Sequence, residues 1–122
     1  MTRFSGVGCE IADFIELVNQ LDDVTQHDRE RWSAFDVGSK TFGYLWPRTR
    51  TVGLKQTIAE QLALVAERPQ TFEIQFTTGG FGWVVVRLDG IERDELAELT
   101  FEAWRLTAPE ALIDGRADQL PR

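Results

Sequence analysis

The sequence predicts an α+β fold: a two-layer arrangement with a five-stranded, mainly antiparallel sheet and helices packed on it, in the order α-β(3)-α-β(2)-α. Three observations carry this reading. Three segments place apolar residues at helical spacing, five place them at strand spacing, and the strands are joined mostly by turns too short for a parallel crossover. The chain has 122 residues, the length of one domain. No repeat or linker interrupts it, so we expect a single domain with a core at about 10–108 and a tail at 109–122.

The first helix is expected at about Cys9 to Leu21, where Ile11, Phe14, Ile15, Val18 and Leu21 share a face and Glu10, Asp13, Glu16 and Gln20 fill the other. Val24 to Arg31 is polar and reads as loop. Ser33 to Val37 reads as a strand, and Gly38-Ser39 as a two-residue hairpin turn. Thr41 to Trp46 alternates, with Phe42, Tyr44 and Trp46 on one face, and Pro47 ends it because proline has no amide to donate. Thr51 to Lys55 completes a three-stranded meander. Thr57 and Glu60 have capping-box spacing at the start of a second helix, whose apolar stripe is Ile58, Leu62, Val65 and Ala66; Pro69 lies just past its end. Phe72, Ile74 and Phe76 alternate with Glu73 and Gln75, the Gly-rich run Thr77 to Gly82 turns the chain, and Trp83 to Leu88 is a β-branched strand. After Asp89-Gly90, Glu92 to Thr107 forms the last helix, with Leu96, Leu99, Phe101, Ala103, Trp104 and Leu106 over more than half its circumference.

Thirteen Lys and Arg stand against twenty Asp and Glu, a net charge of −7. That balance argues against coating DNA or a membrane through the overall field. Met1 to Gly8 has no apolar run of signal-peptide length and no segment is long enough to span a bilayer, so the expected location is the cytoplasm and no membrane partner is expected. One cysteine and one histidine, Cys9 and His27, exclude an intrachain disulfide and a zinc site of the Cys/His type.

Enzyme constellations fail for want of parts. His27 sits in a polar segment and reads as a solvated surface residue; Cys9 reads as a small residue near the terminus rather than a nucleophile. The run Thr77-Thr78-Gly79-Gly80-Phe81-Gly82 lacks the GxxxxGK[ST] pattern and joins two strands, so it reads as a hairpin turn rather than a phosphate loop. Glu95, Glu98 and Glu102 read as the wet face of a helix, not a metal site. The expectation is a non-enzymatic protein with no cofactor and no metal.

Charge placement is what remains. Residues 37–59 contain no acid and four cations, Lys40, Arg48, Arg50 and Lys55, so this window carries +4 and the rest of the chain −11. It coincides with the meander and includes Tyr44 and Trp46. Basic groups interleaved with rings on a β-ribbon suit phosphate contact and base stacking.

The block Phe35-Asp36-Val37-Gly38-Ser39-Lys40-Thr41-Phe42 is similar to the F-x-V-G-G-K-x-F hairpin of the MmcQ/YjbR family of small bacterial domains. Gly82-Trp83-Val84-Val85-Val86 with Leu88-Asp89-Gly90 resembles its G-W-V-x-V-x-L-D-G block. The strand ending at Leu54-Lys55, the helix closing at Arg68-Pro69, and Glu95-Leu96 with Trp104-Arg105-Leu106 extend the likeness to about 33–108. The sequence departs from it at Leu21 to Gln26, where the family often has L-P-G-x-x-E, and at Ser39 and Ala103-Trp104. The resemblance implies a fold similar to secretion-chaperone and frataxin-like architectures, and the family's usual label of a DNA-binding domain using wings of the sheet. Taken together, the expected function is DNA contact through the basic meander, Lys40, Arg48, Arg50 and Lys55 meeting phosphates and Tyr44 or Trp46 stacking on bases. The alternative is a non-catalytic module that docks a protein partner or a second copy.

Overall fold

The computed structural model describes residues 8–114. The element order is α1 (Ile11–Asn19), β1 (Val24–Asp28), β2 (Ser33–Val37), β3 (Lys40–Trp46), β4 (Thr51–Thr57), α2 (Ile58–Glu67), β5 (Phe72–Thr78), β6 (Phe81–Arg87), α3 (Arg93–Arg105) and α4 (Glu110–Asp114), with a short 3-10 turn at Leu88–Gly90 before α3. The strands form one antiparallel sheet in the order β1-β2-β3-β4-β6-β5. The α+β class is therefore as expected, but the sheet has six strands rather than five. The extra one is β1, in the segment read as loop. Only Val24 of its five residues is partly buried, so it has almost no apolar alternation to detect; backbone pairing with β2 alone defines it. The helix α4 falls in the expected tail, whose residues 115–122 lie outside the described part, as do 1–7 at the other end.

All four helices pack on the same side of the sheet. Phe14, Leu17 and Val18 of α1, Leu64 of α2, and Leu96, Leu99, Ala103 and Trp104 of α3 join Phe35, Phe42, Val52, Leu54, Val84 and Val86 in one core cluster, against which Leu112 and Ile113 of α4 also lie. Trp104 is fully buried, with its indole N–H donating to the Asp22 carbonyl at 3.0 Å. The last of the expected helices, α3, is the best buried, as its broad apolar arc predicts. Arg93 ties α3 to α1 through Asp13 at 2.7 Å, and Arg68 ties the end of α2 to Glu95 of α3.

Three face assignments change, each for a local reason. Phe42 does not share a face with Tyr44 and Trp46. Phe35 pairs with Gly43 and Asp36 with Thr41, so Phe42 is an extra residue on β3; this bulge turns it into the core while Tyr44 and Trp46 point the other way. A second irregularity between Ile74 and Phe76 breaks the alternation of β5, so Phe72 is core and Phe76 is not. On α2 only Val65 of the expected stripe packs against the core: Ile58 is 37% and Leu62 53% exposed, whereas Gln61 is 1% exposed. Gln61 is buried because its amide donates to the carbonyls of Phe76 and Trp83 at 3.1 and 2.9 Å and accepts from Thr77 Oγ1. A Cβ on Gly82 would lie 2.7 Å from the Gln61 side chain, so a glycine there is what admits the helix. The Gly38-Ser39 turn forms as expected, with both residues at positive φ, 57° and 68°, the geometry of a tight hairpin.

Candidate nucleic-acid interface

The face of the sheet turned away from the helices carries a row of rings. Tyr44 and Trp46 of β3 stack with centroids 5.9 Å apart and planes 25° apart. Trp32, just before β2, meets Tyr44 edge-on at 5.7 Å. Trp83 of β6 lies 5.4 Å from Tyr44, and Phe76 of β5 lies 5.3 Å from Trp83. None of these five rings belongs to the core cluster; Phe76 is exposed and Trp32, Tyr44 and Trp46 are half-buried, while Trp83, 5% exposed, lies beneath its neighbours. The ladder explains their meeting. Tyr44 pairs with Gly53, Gly53 with Val85, and Lys55 with Trp83, so rings from three strands converge over a shallow strip of β4. Gly53 supplies the room: a Cβ there would collide with the Trp46 ring and the Gln75 amide, both of which lie across it.

The expected cations divide between the two ends of this row. Lys55, beside Trp83, holds its ammonium over the Phe81 ring, 4.1 Å from the centroid. Burial, and secondarily repulsion from Lys40, lowers its pKa; Lys40 is exposed at the start of β3, the strand beside β4. Arg48 and Arg50 are exposed in the turn between β3 and β4. The length of β3, roughly 20 Å at a strand's rise per residue, separates the two pairs. So Tyr44 and Trp46 come together on one face with Lys55, Lys40 flanks that end, and Arg48 and Arg50 flank the other.

The structure adds two arginines that sequence reasoning left in a loop. Ser33 pairs with Leu45, so the β1–β2 turn and the β3–β4 turn leave the same end of the sheet. Arg29, Arg31 and Arg48 there line a cleft of about 290 Å³ with Trp32 and Pro47, and the Arg29 guanidinium lies 5.9 Å from the Trp32 ring. Asp28 and Glu30 are on the same wall. Hydrogen bonds from Ser33 and Gln26 hold the Asp28 carboxyl below its ordinary pKa, so it stays anionic and offsets part of the positive charge. The available signal was Arg29-Glu30-Arg31-Trp32, two cations beside a tryptophan, which points nowhere until the turns are placed side by side.

Acids are scarce on the strands. Asp28, Asp36 and Glu73 are the strand acids among the described residues. Asp36 meets His27 at 3.1 Å and accepts from Thr41 at 2.6 Å, and Glu73 meets Arg87 at 3.4 Å. His27, expected in a loop, thus sits on β1, exposed and beside a carboxylate. Cys9 is buried, with its thiol 3.3 Å from the Ile91 carbonyl, and burial pushes its pKa up to about 11. That is the opposite of an activated nucleophile. Among the described residues, no three acidic, His or Cys side chains converge closely enough to hold a metal ion. No helix of the described residues is long and apolar enough to cross a membrane.

Three comparisons bear on this arrangement. Among curated proteins no relative matches the chain. Among solved structures, the crystal structure of Deinococcus radiodurans protein DR2400, with its DUF419 domain, superposes with a TM-score of 0.74 at 17% sequence identity, over 93% of this chain and 91% of that one. At that identity the likeness establishes a shared fold. The family model described as YjbR matches residues 19–106, a span from the end of α1 through α3 that contains the whole sheet, and the chain therefore belongs to the YjbR family.

Proposed function

We propose that this protein is a non-catalytic, cytoplasmic nucleic-acid-binding domain that uses the open face of its sheet. The observation that carries the reading is the row of partly open rings, Trp32, Tyr44, Trp46 and Phe76, seated around the buried Trp83 on the face of the sheet turned away from the helices, with cations at both ends. Rings presented this way stack on unpaired bases, whatever the base, because every base has a π-face. Lys55 and Lys40 meet phosphates at one end, Arg48 and Arg50 at the other, and the acids of the helical layer stay on the far side of the sheet.

The test is binding of a fluorescent single-stranded oligonucleotide and of the matching duplex across a salt series. The expected log–log slope is roughly −2 to −4, since each neutralised phosphate contributes about −0.7 on single strands and −0.9 on duplex. Tyr44→Ala should cost about 1–3 kcal/mol on the single strand, the worth of one stacked base. Arg48→Ala/Arg50→Ala should flatten the slope. No binding of either form at low salt, or a double variant indistinguishable from wild type, sinks the proposal.

A second reading rests on a separate observation. Ile58 and Leu62 of α2 and Ile74 of the edge strand β5 are 37%, 53% and 48% exposed, an apolar border suited to a protein partner or a second copy. Sedimentation against concentration separates the two: a strict monomer removes self-association, while Leu62→Gln leaving oligonucleotide binding intact assigns the border to something else.

A further inference from the structure

On the opposite side of the molecule, α2 and α3 diverge at the end of β4 and leave a cleft of about 410 Å³. Its wall includes Gln56, a polar side chain with no exposed surface. The Gln56 amide nitrogen donates to the Leu99 carbonyl at 3.0 Å, which orients the side chain. Its Oε1 has no hydrogen-bond partner, and a buried acceptor left so costs free energy of the order of 1–3 kcal/mol. Four carboxylates stand around the same cleft, Glu60, Glu95, Glu98 and Glu102. Two have their own cations: Glu95 is held by Arg68, and Glu102 by Arg105 at 2.7 Å. Glu60 and Glu98 have no ion-pair partner among the described residues and are exposed at the rim. The remaining lining is Thr57 and the apolar Leu64, Leu99 and Phe101.

We infer that this cleft binds an alkylammonium group, the chemistry of a small polyamine. Each requirement of such a ligand is met by a different part of the lining. Its charge answers Glu60 and Glu98, its methylenes lie on Leu64, Leu99 and Phe101, and its N–H supplies the donor that Gln56 Oε1 lacks once the side chains covering that buried oxygen part. A hard metal ion fits worse, because it needs six or more oxygens at close range and no group of three candidate ligands converges among the described residues.

The probe is spermidine, titrated at low salt while backbone and side-chain amide resonances are followed. Saturable shifts centred on the Gln56 amide, Leu99 and Phe101 are expected, with 1,5-pentanediol producing none. Glu60→Gln/Glu98→Gln, two surface changes that leave the core intact, should weaken spermidine about fivefold or more, the scale of losing partly screened ion pairs. Gln56→Met should weaken it as well. Shifts that never saturate, that spread over the acidic surface, or that magnesium chloride reproduces would mean general counterion screening and overturn the inference. So would a double variant that binds as wild type does. Because Gln56→Met alters the interior, its folding is checked first; if it does not fold, the rim variant decides the question.

Discussion

Two buried polar side chains show how far one residue's surroundings set its role. Gln61 reads on paper as a wet helix position, yet it is 1% exposed and bridges α2 to β5 and β6 through three hydrogen bonds. No periodicity signals this, because a glutamine is buried only when the tertiary fold presents the carbonyls it needs. Cys9 gives a measurable consequence. Its thiol has an ordinary pKa of 9.0 and is raised to about 11 chiefly by burial, with a smaller contribution from Asp13. The unfolded thiol ionises first as pH rises, so the stability Cys9 contributes is fully present below pH 9.0 and is lost progressively from there toward 11. Urea midpoints of wild type and Cys9→Ala should therefore converge between about pH 8 and about pH 10.5; a constant difference across that range contradicts the shift.

At the scale of elements, the two irregular ladders matter more than the regular ones. The bulge at Phe42 lets β3 send Phe42 and Leu45 to the core and Tyr44 and Trp46 to the open face. Strict alternation would have left Phe42 outside with the other two rings. Two glycines then set the distances between layers, and their replacement should have contrasting effects. In Gly82→Ala the new methyl meets the Gln61 side chain at 2.7 Å, beginning at its Cβ, so α2 itself must shift; a loss of about 1–3 kcal/mol by chemical unfolding is expected. In Gly53→Ala the collision is with the far ends of Trp46 and Gln75, which swing aside. Stability should change by less than about 1 kcal/mol, while tryptophan fluorescence shifts and single-strand affinity falls. Equal destabilisation by both changes would mean that Gly53 is structural rather than part of a binding surface.

Across the whole molecule, the net charge of −7 is distributed by layer. The helices and their loops carry most of the acids, the sheet carries few, and its exposed turns carry Arg29, Arg31, Arg48 and Arg50. Salt should therefore act in opposite directions on two properties. Screening relieves repulsion among the acids of the helical layer, so the thermal midpoint should rise between about 20 and about 200 mM salt. Oligonucleotide affinity should fall over the same range, since phosphate contacts release counterions. An affinity insensitive to salt would remove the cations from the proposed interface.

By itself, the sequence determined the α+β class, three of the four helices and five of the six strands among the described residues, the tight Gly38-Ser39 turn and the family blocks. All of these are written in local periodicity, turn chemistry and short motifs. It also placed Lys40, Arg48, Arg50 and Lys55 in one acid-free window. The tertiary structure decided which of those residues stand near which rings, because side-chain facing depends on two bulges that break the period of two. It also decided that β1 exists, since that strand is held by backbone pairing rather than by an apolar face. The meeting of Trp32, Tyr44, Trp46, Trp83 and Phe76 is a property of sheet register: Tyr44 and Trp83, 39 positions apart in the chain, become neighbours only when β3, β4 and β6 lie side by side.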